Sequence, residues 1–323
     1  MSKDIYLNNP QKVNIKIKCI YFCRVKIDKN TALPHMALFI ANLIYGINYT
    51  VAKEVMPTFI KPFGFILVRA IGASLLFWLF SSLLKTTEKI EKKDFGRIAL
   101  CALFGVAINQ LLFFKGLSIT GPINASIIMT TNPVLVLITA SVILRERISA
   151  NKLIGIGFGI TGALLIILSK SSNSFNTSTY LGDLLVFINA ASYGVYLVLV
   201  KPLMMKYQPL TVIKWVFLFG FAFVLPFGWN EFSQIQWSTM PTHIYAQVAF
   251  VVIGTTFIAY LFNTYALKRL SPTTVSIYIY SQPLLASFIA LLLQKDELTA
   301  QKVLAAVLIF LGVYLVSKPK KQV

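Results

Sequence analysis

Two stretches decide the fold: GPINASIIMTTNPVLVLITASVILRERIS at 121–149 and SPTTVSIYIYSQPLLASFIALLLQKDELT at 271–299. Each opens with a proline (Pro122, Pro272) and carries a second one in mid-run (Pro133, Pro283). Each then continues through apolar residues to a charged turn, Arg145-Glu146-Arg147 or Lys295-Asp296-Glu297. The match runs without a gap over 116–170 and 266–320, an offset of 150, with twelve of 55 positions identical. Apolar helices coincide by chance at Leu and Ile, so the prolines, Gly162/Gly312 and the charged turns carry the case for duplication.

Around this duplication the chain is 57% apolar, with mean hydropathy +0.73, above the range of soluble domains. Ten apolar runs are long enough to cross a bilayer: 34–52, 63–84, 97–115, 121–143, 152–169, 181–200, 209–228, 244–267, 272–293 and 301–317. The expected fold is therefore all-α and polytopic, with short connections and no soluble domain. Residues 1–32 hold Lys, Asn and Asp without the apolar centre of a signal peptide, and read as a basic cytoplasmic tail without fixed structure. The net charge of +19 is a topology signal. With the N-terminus inside, 23 Lys and Arg fall in cytoplasmic segments and six in external ones, which obeys the positive-inside rule and puts both termini in the cytoplasm. That placement removes the argument for a nucleic-acid partner. Three cysteines give no metal spacing and no even disulfide framework, and no phosphate-cradling G-x-x-x-x-G-K-[ST] loop is present. No cofactor or metal is expected.

Five spans per copy is an odd number, so the second copy enters the membrane from the opposite side and the repeats are inverted. The first and sixth spans agree, since Tyr45-Gly46 and Lys53 match Tyr193-Gly194 and Lys201 at an offset of 148. Inverted repeats give a protein two nearly equivalent packings, each open to one side, with a site between the copies. The sequence resembles a ten-helix member of the drug/metabolite transporter superfamily, of the EamA-like type. The resemblance rests on Pro122-Ile123-Asn124-Ala125-Ser126 with Asn132-Pro133, Arg145-Glu146-Arg147-Ile148-Ser149, Leu181-Gly182-Asp183-Leu184-Leu185, and Ser271-Pro272-Thr273-Thr274 through Pro283. It implies two EamA-like repeats, 33–170 and 180–318, moving a small organic metabolite (an amino acid or related solute, or a drug-like amphiphile) across the inner, plasma membrane. Export is the favoured direction by that analogy alone.

Candidate site residues are the polar groups inside the spans. Pro133 and Pro283 each lack the N–H that would bond four residues back, which frees the carbonyls of Met129 and Ile279 and bends the helix. An amide precedes each, Asn132 and Gln282. These pairs read either as hinges or cavity lining, or as structural kinks satisfied by neighbouring helices. Arg69 is the one charge well inside a span. It either attracts a substrate carboxylate or phosphate, or snorkels to the outer headgroups. Asn42, Tyr45 and Asn48 share a face of the first span. Asn109 and Gln110 lie in the third, Asn189, Tyr193 and Tyr196 in the sixth, Tyr260 in the eighth at the position matching Gln110, and Tyr280 in the ninth. Each alone is as well read as an interhelical hydrogen-bond partner, and the set together as the lining of an amphiphilic central cavity. Gly155, Gly159 and Ala163 make a small-residue stripe for packing within the bundle or, less simply, between two copies of the chain, so a monomer or a weak homodimer is expected.

No Asp or Glu lies in the interior of a span, which argues against proton coupling through a membrane carboxylate. A membrane-embedded enzyme would need an acid/base pair or metal cluster at one face. A channel would need a continuous polar stripe. Neither pattern is in the sequence. Reporter fusions are expected to place 85–97, 145–152, 201–214 and 268–269 inside and 229–243 outside, and an external reading for 85–97 overturns that topology.

Overall fold

In a computed structural model the described residues are 29–84, 88–144, 154–155, 157–162, 165, 177–270, 272–294 and 297–317, and among them there are helices and turns but no strand. The helices are α1 (Lys29–Val55), α2 (Pro62–Leu83), α3 (Lys92–Ile119), α4 in two pieces (Pro122–Met129 and Asn132–Leu144), α5 (residues 157–162), α6 (Thr177–Lys206), α7 (Pro209–Ser233), α8 (Thr242–Arg269), α9 in two pieces (Pro272–Ile277 and Ser281–Leu292) and α10 (Ala300–Ser317). Seven helices among the described residues are long and apolar enough to cross a membrane: α2, α3, α4, α6, α7, α8 and α9. Their outward faces carry bare apolar side chains such as Leu75, Leu79, Phe227, Leu284 and Phe288, as a lipid-facing surface does. Pro62, Pro122, Pro209 and Pro272 each open a helix, where a missing N–H costs nothing.

The helices pack in matched sets. The longest contact is α2 against α7, antiparallel: Gly64 lies on the backbone of Glu231 at one end, and at the other Lys214 Nζ donates to Ser81 Oγ at 2.9 Å beside the Trp78–Trp215 pair. α3 packs on α6, and α1 packs on α8. α1 also packs on the second piece of α9, and α6 on the second piece of α4. Gly46 makes the first of these approaches possible, because a Cβ there would sit 2.6 Å from Leu285 Cβ. Gly194 does the same in the other copy, where a Cβ would lie 3.2 Å from the Val136 amide, beside Leu135. Gly46/Gly194 and Leu285/Leu135 are duplicate pairs, so one contact occurs twice.

Helix ends are tied in the same paired way. Lys53 at the end of α1 donates to the carbonyls of Leu117 (2.9 Å), Ser118 and Thr120, closing the C-terminus of α3. Lys201 on α6 donates to Leu267 and Leu270 (2.7 Å), closing the C-terminus of α8. A cation at the negative end of a helix is favourable, and these carbonyls have no partner within their own helix. Glu231 accepts from the Phe63 and Gly64 amides at the start of α2, and Glu88 from Gln208 at the start of α7. At the end of the bundle that holds the start of α1, Lys206 pairs with Glu91 and Asp94, both at 2.6 Å. Lys206 and Lys93 hold the Glu91 carboxyl below its usual range.

One expectation needs correction. Pro133 and Pro283 do not bend continuous helices. α4 stops at Met129, turns through Thr130-Thr131 and restarts at Asn132, while α9 passes through a 3-10 turn at Tyr278–Tyr280 before restarting at Ser281. Each proline thus sits in the first turn of a new helical piece. The chain resolves the missing donor by breaking the helix instead of straining it. Asp183 lies in the second turn of α6, which starts at Thr177. Its carboxylate accepts from Thr120 and, at 3.4 Å, from Asn124. The Gly155 and Gly159 stripe packs within the bundle, as expected: a Cβ on Gly312 of α10 would lie 2.5 Å from the Gly155 carbonyl and 2.6 Å from the Gly159 amide. Ala163 lies outside the described residues, as do residues 1–28.

Gly46→Val is expected to force α1 off α9 and cost about 1–3 kcal/mol, lowering the melting temperature in detergent. Gly96→Val, where nothing lies within 4 Å, is its control and should leave melting nearly unchanged.

Candidate functional site

Between the two sets of helices lies a cavity of about 80 Å³ walled by α1, α2, α3, α4, α6, α8 and α9. Two local distortions shape it. α3 widens into a π-helical segment at Leu103–Ile108, and α8 does so at Phe250–Ile258, at corresponding places in the two copies. Such segments release backbone carbonyls and shift the face that the following residues present, and they concentrate at functional sites. Here the Gly105 carbonyl, inside the first segment, accepts from Tyr260 Oη at 3.2 Å, and Asn109-Gln110 follow immediately.

Of the residues singled out in the sequence, Asn42, Tyr45, Asn48, Arg69, Asn109, Gln110, Asn189, Tyr193, Tyr260 and Gln282 all line this cavity. They are joined into short chains. Tyr49 Oη donates to Gln282 Oε1 (2.8 Å), Gln282 Nε2 to Asn42 Oδ1 (2.6 Å), and Asn42 Nδ2 to the Leu38 carbonyl (2.8 Å). Thr255 donates to Asn48 Oδ1 at 3.2 Å, and Asn263 to Tyr45 Oη at 3.1 Å. Asn109 and Asn189 exchange side-chain to backbone bonds between α3 and α6. Most of these polar groups therefore join helices as well as facing the cavity.

Three expected lining residues are elsewhere. Asn132 is fully buried and donates to the Ala190 carbonyl at 2.8 Å, joining α4 to α6. Tyr196 is buried between Tyr193 and Gly105. Tyr280 turns away to pack on Phe310 of α10. Each lies one turn or less from a lining residue, so the difference is helix rotation, which spacing alone does not fix. Residues not singled out in the sequence are Tyr49, Phe113, Phe114, Thr255, Val275 and Asn263, while Met129 and Ile279, named there for their freed carbonyls, also line the cavity. Tyr49 and Asn263 carried a signal, being polar groups one helical turn from Tyr45 and Tyr260. The apolar ones look like ordinary core.

Arg69 does not snorkel: it is 2% exposed. Its Nε donates to Thr256 Oγ1 at 2.8 Å, and its guanidinium lies 4.2 Å from the centre of the Phe114 ring. Thr256 in turn donates to the Val251 carbonyl within the π segment. Arg69 Nη1 is buried and has no partner, and no carboxylate lines the cavity. A buried cation without a counter-ion is costly unless something arrives to neutralise it. Among the described residues no three His, Cys, Asp or Glu side chains come together as a metal site would require.

The model of the EamA-like transporter family matches residues 33–168 and, a second time, residues 180–318. The chain belongs to the EamA-like transporter family. Members similar to it include the uncharacterized transporter YyaM of Bacillus subtilis, 26% identical over 70% of this chain and 76% of that one. A probable terminal-alkyne amino-acid exporter of Streptantibioticus cattleyicolor is 27% identical over 61% of this chain and 65% of its own. A crystal structure covering 88% of this chain and 96% of the other superposes with a TM-score of 0.60 at 17% identity, a likeness of fold. This family member is a multi-pass membrane transporter and not an enzyme.

Removing the isolated charge should stabilise the fold. Arg69→Met keeps the reach of the side chain over Phe114 and leaves Thr256 bonded to Val251. It is expected to raise stability by roughly 1–3 kcal/mol, the cost of a buried unpaired polar group. The check is a higher melting temperature in detergent for Arg69→Met but not for Arg69→Lys, which keeps the charge.

Proposed function

We propose that the chain moves a small organic solute by alternating access. In this reading it is built as ten spans in two inverted five-helix repeats, set in the inner membrane with both termini cytoplasmic. The observation that carries it is the central cavity: it is polar in patches and walled by helices from both copies. The recurrence of contacts supports the inversion. α1 on α8 and α9 repeats as α6 on α3 and α4, and α2 runs antiparallel to α7, its duplicate. Arg69 is the attractor of an anionic group on the solute. Export is favoured by the family resemblance and by the name of the Streptantibioticus relative.

The direct test is counterflow into proteoliposomes across a panel of amino acids, organic acids, sugars, nucleosides and organic cations. Saturable exchange of a panel member supports the reading, and unsaturable leak of many solutes supports a channel. The helix breaks supply a second test. Pro133→Ala or Pro283→Ala restores a donor and favours joining the two pieces of α4 or α9. Each variant should reach the membrane, yet lose transport and shift outside accessibility of cysteines placed at Tyr45 and Tyr193. The shifts should be opposite in sign, and a bias of about 2.7 kcal/mol moves a balanced equilibrium roughly a hundredfold. Normal transport in both variants, or shifts of one sign, overturns the hinge role.

A further inference from the structure

The central cavity has a neighbour. A cleft between α1, α2, α7 and α8, at the end of the bundle holding the start of α1, is lined by residues that include Ala37, Ile40, Phe80, Leu261 and Phe262. The two spaces share no lining residue, yet they adjoin. On α1 the linings are two residues apart, with Ile40 on the cleft and Asn42 on the cavity. On α8 they interleave, since Leu261 and Phe262 line the cleft while Tyr260 and Asn263 line the cavity.

A chain of aromatic rings from three helices runs from one space to the other. Phe80 of α2, on the cleft wall, packs on Phe257 of α8 with ring centres 5.6 Å apart. Phe257 packs on Phe77 at 4.8 Å, Phe77 on Phe217 of α7 at 5.1 Å, and Phe217 meets the cavity-lining Tyr260 edge-on at 5.0 Å. The three middle rings line neither space, and Phe77 and Phe217 are fully buried.

We infer that Phe77, Phe217 and Phe257 form a gate that shuts the central cavity from the cleft. This rests on the transport reading and names the residues that close one route into the same cavity. An apolar constriction bars water and polar solutes by dewetting. Phenylalanine rings make no directional bond, so these three are held by packing alone, unlike the amides and lysines that tie helices together elsewhere. What sets them apart from ordinary core is the segment that carries Phe257. It lies in the π-helical stretch Phe250–Ile258, and such stretches concentrate at functional sites. Groups on the cavity wall hold it on both sides. Arg69 donates to Thr256, the preceding residue, at 2.8 Å, and Tyr260, one turn on, accepts from Gln110 and donates to the Gly105 carbonyl. A solute that engages Arg69 or Tyr260 therefore acts on a flank of Phe257. The duplicate position in α3 is Ala107, so the gate belongs to one end of the bundle.

The test is thiol labelling of the full chain with Cys19, Cys23 and Cys101 replaced by Ala. A charged methanethiosulfonate reagent, which does not cross the bilayer, is added to one side of sealed vesicles at a time. Asn263→Cys on the cavity wall is the target, and Gln208→Cys on the cleft wall identifies the side to which the cleft opens. From that side Phe77→Ala and Phe257→Ala should each raise the labelling rate of the target at least tenfold. Phe65→Ala is the control: Phe65 is fully buried on the opposite half of α2, 5.8 Å from Phe114, and its loss should leave the rate from that side unchanged. Phe257 is half-buried, and Phe257→Leu, expected to give at least a threefold rise, replaces any alanine variant that does not elute as a single folded species. Unchanged labelling in the folded variants, or an equal rise with Phe65→Ala, overturns the gate even where a panel solute shows saturable counterflow. Raised labelling from the cleft side without exchange of any panel solute keeps the barrier of rings and overturns the transport reading.

Discussion

A polar atom inside a bilayer has no water to turn to, so each one must be met by another part of the protein. That constraint explains most of what lies between these helices. Where α3 and α6 face each other, Asn109 and Asn189 satisfy one another's carbonyls. Where α1 meets α8 and α9, Tyr49, Gln282 and Asn42 hand hydrogen bonds from helix to helix. The close approach needed for such bonds depends on Gly46 and Gly194, whose missing side chains let α9 and α4 come near. Apolar packing alone gives little drive for helices to associate in lipid, and small residues with interhelical hydrogen bonds supply it.

The same rule makes the exceptions informative. Helix ends are the obvious liability, and the chain closes two of them with Lys53 and Lys201, long side chains that reach the last carbonyls of a neighbouring helix. Against that care, a buried guanidinium at the centre with no carboxylate in the surrounding wall is out of character. Proteins break such a local rule at functional sites and offset the cost elsewhere.

How much of this was legible in the sequence follows from what periodicity and duplication encode. Tyr45-Gly46 and Tyr193-Gly194 were legible as duplicates, whereas the close contacts that Gly46 and Gly194 allow appear only in the structure. Most of the cavity-lining amides were found because Asn and Gln are out of place in an apolar run. What escaped was conformational. Nothing in Leu103–Ile108 or Phe250–Ile258 distinguishes a π-helical segment from an α-helical one, and that choice decides which way Gln110 and Tyr260 point. Tyr196 and Tyr280 look the same in sequence as Tyr193 and Tyr45, and only the rotation of each helix sends them into packing instead. The prolines marked a discontinuity correctly, but whether a helix bends or stops depends on partners such as Asn132 on α6.

The pairing of α1 with α8 and α9, and of α6 with α3 and α4, means that each copy buries its first helix in the other. Two subunits of a symmetric dimer stand in that relation, each offering a surface that its own chain cannot cover. The copies are in this sense partners before they are domains. The peptide linkage holds them at high effective concentration, but the contacts that define the fold are ones between neighbours. A lesion such as a bulky residue at Gly194 therefore acts on α4 of the first copy through α6 of the second. Among the described residues both core clusters draw on both copies, and mutational sensitivity should be shared across the pseudo-dimer instead of being confined to the half that carries the change.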